Sequence, residues 1–331
     1  MAPDRTGHAD STLPRRIFAW AIFPVTFFGA LLTLRAGQAA GLPHLGAVAL
    51  AVLPAALLVV VSERVQPYAH SWGRSHDDVR TDLTHMLLSQ VAPPQLVDAV
   101  FAVTLATFGA WLADHVGGSI WPEAWGFWAQ LALAMVLGEL GQYWWHRMTH
   151  EHDLLWRLHA THHSAPRLWW LNAGRFHPLD TVVAYSLSVG PIVVLGAPPD
   201  VVAGSVVFTA VHGMFQHANI DLRLGPLNWV FSMAELHRWH HSKALTDANA
   251  NYGANLICWD VVFGTRALPK DRRHDPRDIG FDGDAGFPRT FGGQLTSPFR
   301  WAAVQAAVQA AVQSAQRPEP GDPEPDSDRG A

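Results

Sequence analysis

Two runs of eighteen residues without a charge, 17–34 (IFAWAIFPVTFFGALLTL) and 45–62 (LGAVALAVLPAALLVVVS), set the first limit on what this chain can fold into. A hydrocarbon core of about 30 Å takes about 20 residues of helix, because every backbone polar group has to be satisfied inside the segment. Both runs are therefore read as membrane-spanning helices. Residues 99–113 and 124–138 are shorter apolar runs, and the second continues through Glu139 to Trp144 and Trp145, the aromatic end expected at a bilayer interface. They are read as a second hairpin, which makes about four transmembrane helices in an all-α integral membrane protein. Arg15 and Arg16 precede the first run as in a secretory signal, but no small-residue cleavage site follows and another span comes at once, which favours a retained anchor. Arg5, Arg15, Arg16, Arg64, Arg74 and Arg80 fall on one side of these spans, against Arg35 alone on the other. The positive-inside rule then puts both termini and everything after Trp145 in the cytoplasm.

The rest of the chain divides by composition. With 49% apolar residues and 15% charged ones, greasy and polar zones alternate. Residues 1–145 form the N-terminal region with the hairpins, and 146–268 form a histidine-rich domain. Within the latter, 181–211 is apolar apart from GAPPD at 196–200, and is read as a re-entrant or short membrane hairpin. Residues 269–316 make a peripheral segment whose threefold AAVQ repeat at 302–313 suits one Ala-rich helix, and 317–331 is read as a disordered tail. A net charge of -5 leaves no basic footprint for nucleic acid. The single cysteine, Cys258, removes disulfides, thiolate zinc sites and iron–sulfur clusters.

Chemistry concentrates in the histidines. Twelve of nineteen lie between residues 146 and 241, and ten of these fall into four blocks: His146 and His150; His159, His162 and His163; His212 and His217; His237, His240 and His241. At about 100° per residue an HxxxH pair sits within roughly 40° on one helical face, and an HxxHH triplet covers about 100°, so each block is expected to present its imidazoles to a common point. His212 and His217 stand about 140° apart on a straight helix, so a shared ion there needs a bend or the loss of one ligand. His152 falls about 160° from His150 and is set aside. Burying ten imidazoles without metal would demand a partner for every ring nitrogen. Eight to ten nitrogens suit two ions at four or five each, and imidazole alone does not choose among Zn, Cu, Fe and Ni.

The segments HRMTH, HATHHS and HRWHHS, followed by NYGANLICWDVVFGT, resemble the histidine boxes and closing motif of the fatty acid hydroxylase and sterol desaturase superfamily over roughly residues 80–268. That resemblance implies a transmembrane stalk capped by a cytosolic helical domain, with His146, His150, His159, His162, His163, His237, His240 and His241 as ligands of two iron ions and His217 as an additional box histidine. It also implies O2 as co-substrate, zinc as a possible substituted metal, and oxidation of lipid C–H bonds by hydroxylation or desaturation. Relatives process fatty acyl chains, sterols, carotenoids and the head groups of ornithine-type aminolipids, and the compact spacing resembles bacterial members, which points to a bacterial membrane lipid such as an ornithine-type aminolipid. The lipid is expected from the bilayer of the bacterial inner membrane. Since neither haem- nor flavin-binding segments are visible, electrons are expected from a separate ferredoxin or cytochrome with an NAD(P)H reductase. Glu139, seven residues before His146 and within about 20° of its face, is a candidate to receive a ligand imidazole N–H. Asp180, Asp260 and His177 are further candidates around the ligands, the last held out of helix by Pro178.

Two other classes fit less well. A zinc hydrolase calls for HExxH, but Arg147 follows His146 and no such motif exists. A metal transporter places its polar ligands mid-span, whereas these blocks begin where the spans end.

Overall fold

A computed structural model describes residues 12–316, and among these the chain is helical. The elements are α1 (Leu13–Ala39), α2 (His44–Val65), α3 (Val79–His85), α4 (Ala92–Val116), α5 (Phe127–Glu151), α6 (Asp153–His163), α7 (Pro178–Val194), α8 (Pro199–His217), α9 (Ala234–His240), α10 (Leu245–Ala248), α11 (Cys258–Phe263), α12 (Phe291–Thr296) and α13 (Trp301–Ala315). A π-helical turn, Met86–Val91, joins α3 to α4. Extended pairing among the described residues is confined to two isolated bridges, Phe231–Leu256 and Ser242–Ile279.

α1 and α2 pack against each other, and α8 lies against both. Small residues at helical spacing on α2, Ala47, Ala51 and Ala55, let its neighbours approach, while Phe23, Phe27, Leu31 and Leu34 of α1 fill the core with Val207, Val211 and Phe215 of α8. Close approach also sets the other half of the bundle. A Cβ at Gly138 of α5 would lie 2.8 Å from the Ser188 carbonyl of α7, so glycine is what permits α5 and α7 to touch there. α1 and α2 are both long and apolar enough to cross a membrane.

Two expectations need revision. α4 and α5 are not a packed hairpin, because α7 intervenes and packs against both. The 181–211 segment forms the hairpin of α7 and α8, whose tip places Gly196 beside Ser119 and Trp121 of the α4–α5 connection. At the same end Asp200, in the first turn of α8, pairs with Arg35 at 3.4 Å. α7 and α8 are about 25 and 28 Å long, shorter than the 25-residue α4 and α5 beside them. The 269–316 segment also proves less peripheral than expected. α13 packs through Val304 onto Phe287 and Ala160 of α6, so the Ala-rich helix covers the histidine helix. The tail expected at 317–331 lies outside the described residues.

Candidate metal centre

The histidine blocks converge where α5 and α8 end. A break at His152, which caps α6 in an extended conformation, turns the chain so that α6 folds back over α5. His152 is exposed, as expected, though because the helix stops there rather than by helical phase. Two groups of imidazoles result: His146, His150, His159, His163 and His240 in one, and His162, His217, His237 and His241 in the other. Within each group the ligand-type atoms all lie within 4.8 Å of one another.

Each triplet divides between the groups instead of serving one point. His159 and His163, four residues apart, face the first group, while His162, turned about 100° from His163, faces the second. In α9 the assignment reverses: His237 and the following His241 join the second group and His240 joins the first. The arc expected to focus a triplet on one ion is wide enough to serve two.

Fixed hydrogen-bond acceptors orient the rings. His146 Nδ1 donates to the Tyr252 carbonyl at 2.7 Å, and His240 Nδ1 to the Ala250 carbonyl at 2.8 Å. His159 Nδ1 donates to Asp180 Oδ2 at 2.9 Å, and His162 Nδ1 meets the Arg175 carbonyl at 3.3 Å. His217 Nδ1 donates to Asn172 Oδ1 at 2.9 Å. Carbonyl and carboxylate oxygens only accept, so these rings carry their proton on Nδ1 and keep a bare lone pair on Nε2. In the first group all five Nε2 atoms are buried without a hydrogen-bond partner among the described residues. In the second group the Nε2 atoms crowd together instead, with His237 2.9 Å from His217 and 3.0 Å from His241, and His241 3.1 Å from His162. Bare lone pairs gathered in a dry site are the donor set of a nitrogen-ligated cation.

The electrostatics agree. Burial, followed by the neighbouring imidazoles, holds His162, His163, His237 and His241 well below the usual histidine pKa. For His240 burial sets a value of about 3. Neutral imidazole is the form that binds metal.

Separate scaffolds hold the acceptors. The loop carrying Ala250 and Tyr252 is fixed by Asp260, which accepts from the backbone N–H of Tyr252 and Gly253 at 2.8 and 2.7 Å. Glu139 accepts from Asn255 N at 3.0 Å. Glu139 therefore acts on the loop behind His146, not on an imidazole as expected. Asp180 does receive an imidazole, and also the indole N–H of Trp145 at 2.6 Å, so Trp145 is buried where an interfacial anchor was expected. On the other side, the turn carrying Asn172 and Arg175 is braced by Glu63, which accepts from Trp170 N at 2.8 Å, and by Asp82, which binds Arg175 at 2.9 Å. Asp78 pairs with Arg167 at 2.6 Å in the same region.

Two predicted residues stand apart. His212 joins neither group; its ring sits among Phe23, Phe208 and Phe231 at 6.0–6.2 Å, and neither nitrogen has a partner among the described residues. His212 and His217 both lie in the one unbroken helix α8, where a spacing of five sets them about 140° apart. His177 caps α7 by accepting from Leu179 N at 3.2 Å, and its other nitrogen meets the Leu295 carbonyl at 3.1 Å, which ties it to the C-terminal cover. Sequence reasoning missed Asn172 and the carbonyls of Arg175, Ala250 and Tyr252. Only Asn172 carries its role in a side chain; a backbone acceptor leaves no mark in residue type.

A helical bundle closed at one end by two adjoining all-histidine centres defines the class of this protein. A profile of the fatty acid hydroxylase family matches residues 131–265, which contain every histidine of both groups. An ornithine lipid hydroxylase of Rhizobium tropici is 39% identical over 244 residues, 73% of this chain and 72% of that protein. Alkylglycerol monooxygenase of Danio rerio is 29% identical over 205 residues, 59% of this chain and 42% of its own length. Methylsterol monooxygenase 1 of Rattus norvegicus is 26% identical over 132 residues, 39% of this chain and 44% of its own length. No solved structure matches. The chain belongs to the fatty acid hydroxylase family and is an oxidoreductase.

Proposed function

We propose that the two histidine groups hold two iron ions, and that the chain uses O2 to hydroxylate a membrane lipid, with an ornithine-type aminolipid as the leading substrate. The observation that carries this reading is the set of five buried Nε2 lone pairs without a protein partner, next to four more that crowd one another. Iron bound there would supply the O2 activation that oxidation of an unactivated C–H bond requires. The chain's own part is to bury nine imidazoles together and to aim five of them, His146, His159, His162, His217 and His240, through Tyr252, Asp180, Arg175, Asn172 and Ala250. α13 and α12 cover α6 from outside and limit access of water. The likeness to the ornithine lipid hydroxylase supports the choice of lipid.

In the membrane, α1, α2, α4 and α5 are the spans of this reading, α7 and α8 form a shorter hairpin among them, and the histidine end faces the cytoplasm. Outward apolar side chains support it: Val25 and Leu32 of α1, Leu53 and Leu57 of α2 and Val103 of α4 are all at least 60% exposed, a surface that only lipid would solvate. A lipid substrate would then reach the centres sideways from the bilayer. The test is mass spectrometry of lipid extracts from a bacterium making ornithine lipids and expressing the wild-type chain or His163→Ala. Gain of one oxygen on an aminolipid, dependent on O2 and absent from the variant, is expected. An unchanged lipidome despite iron loading and a working donor system would contradict the proposal.

A further inference from the structure

Behind the first histidine group stands a row of oxidisable rings that metal binding alone leaves without a role. The centre of the Tyr252 ring lies 5.5–5.9 Å from those of His146, His150 and His240, and 6.1 Å from that of Tyr143. Tyr143, on α5, is fully buried, and its ring lies 5.6 Å from that of Trp144, which is 40% exposed. Three rings in near contact thus lead from the ligands to the surface. Electron tunnelling slows steeply with distance, so such short steps outrun one long one. The Tyr143 phenol is also equipped for the proton that its oxidation releases. Thr265 Oγ1 donates its one proton to Asp260 Oδ1 at 2.7 Å, so towards the Tyr143 oxygen, 3.0 Å away, it acts as acceptor. The phenol therefore donates to Thr265, while Arg147 Nη1 donates to the phenol oxygen at 3.2 Å. Burial outweighs the hydrogen bonds that Asp260 accepts and raises its pKa above the usual carboxylate value, which makes it a readier base. Tyr252, Asp260 and Thr265 all belong to NYGANLICWDVVFGT, so one short stretch supplies the bridging ring, the base and the relay.

We propose that Tyr252, Tyr143 and Trp144 form a path that drains oxidising equivalents from the first histidine group when O2 has reacted and no lipid C–H bond is in place. The inference rests on the oxygenase reading above. Tyr143 gives up one electron across the Tyr252 ring, and its proton passes to Thr265 as that of Thr265 passes to Asp260. Trp144 then returns an electron to Tyr143, and the proton comes back along the same hydrogen bonds. Trp144 is refilled at the surface by a lipid-soluble hydroquinone, to which the exposed Phe263 beside it offers an apolar approach. Two such passes supply the two electrons which, with two protons, turn the remaining oxygen atom of O2 into water. The hydroquinone loses the same two electrons and two protons and leaves as the quinone.

The test is flash photolysis of the full, zinc-loaded chain in lipid nanodiscs with a ruthenium tris-bipyridine photo-oxidant and an electron scavenger, read by electron paramagnetic resonance. The wild type is expected to show a tyrosyl radical, and Tyr143→Phe to lower its yield at least tenfold. Thr265→Val, which leaves the phenol without a relay, is expected to lower the yield as well, and Thr265→Ser to restore it. A yield unchanged in Tyr143→Phe overturns the proposal, and so does an equal yield in Thr265→Val and Thr265→Ser. With iron, O2 and a chemical reductant but no lipid, mass spectrometry is expected to find peptides carrying His146 and His150 gaining oxygen at least fivefold faster in Tyr143→Phe than in the wild type. Equal, measurable rates overturn the drain. Because the photolysis needs neither iron nor O2, an intact path in a chain that oxidises no lipid counts against the oxygenase reading only.

Discussion

The two histidine groups are built from the same residue type and share α6 and α9, with α5 serving only the first and α8 only the second, yet they differ in how their nitrogens stand. In the five-member group every Nε2 is kept apart and unpartnered, whereas in the four-member group the Nε2 atoms approach to 2.9–3.1 Å. The difference follows from the acceptors behind the rings. His146, His159 and His240 are each held by a strong acceptor at 2.7–2.9 Å, on elements fixed by Asp260 and Trp145. In the second group His237 and His241 leave Nδ1 without a partner among the described residues, so only His162 and His217 are oriented from behind. Ligand type is therefore shared between the centres, while His237 and His241 of the second lack an acceptor behind the ring among the described residues.

That contrast can be broken from either side. The largest effect is expected for loss of a ligand: His163→Ala should empty the first centre and His241→Ala the second, each lowering activity by more than the roughly 10–100-fold that loss of an orienting partner costs. Metal content per chain, compared by site-resolved spectroscopy, checks the assignment, and removal of both metals by either variant would show the centres to be one unit. Next come the orienting residues. Asp180→Asn should weaken the first centre and Asn172→Ala the second, each by about 10–100-fold in metal affinity, read by competition with a chelator. If each substitution affected both centres equally, the two scaffolds would not be independent.

Acid should act on the apo-protein by the same logic. His240 has its pKa lowered to about 3 by burial, so between its ordinary value near 6.5 and about 3 the unfolded chain binds a proton that the folded one does not. Stability is then full above about pH 6.5 and falls as pH drops towards 3, with iron retention falling in parallel because protonated imidazole is not a ligand. Denaturant midpoints measured across that window check the sign. The smallest effect belongs to His212→Leu, which should leave both metals in place and leave stability unchanged or raised, since an unpaired buried polar ring gives way to an apolar one. Loss of one metal in that variant would return His212 to the ligand set.

Much of this was legible in the chain before folding. The apolar runs gave α1 and α2, and the blocks gave all nine clustered histidines, because helical spacing of a rare, chemically specific residue is a strong signal. The division of each triplet between two centres was not legible: an arc of about 100° is compatible with one ion or two, and only the packing of α6 against α9 decides. What the α7–α8 tip packs against was also hidden, since GAPPD marks a turn and Gly196 against Trp121 is a tertiary contact. Glu63, Asp78 and Asp82 look like helix-end charges in sequence, and become braces only because Arg167, Arg175 and the Trp170 N–H arrive from a hundred residues away.

Anaerobic reconstitution with iron, followed by metal counting on the purified, lipid-embedded chain, tests the central claim most directly. Two irons per wild-type chain, falling to one in His241→Ala while the remaining iron keeps an all-nitrogen signature, is the predicted result. A wild-type chain that takes up one iron or none, after metal loss in handling is excluded, would contradict it.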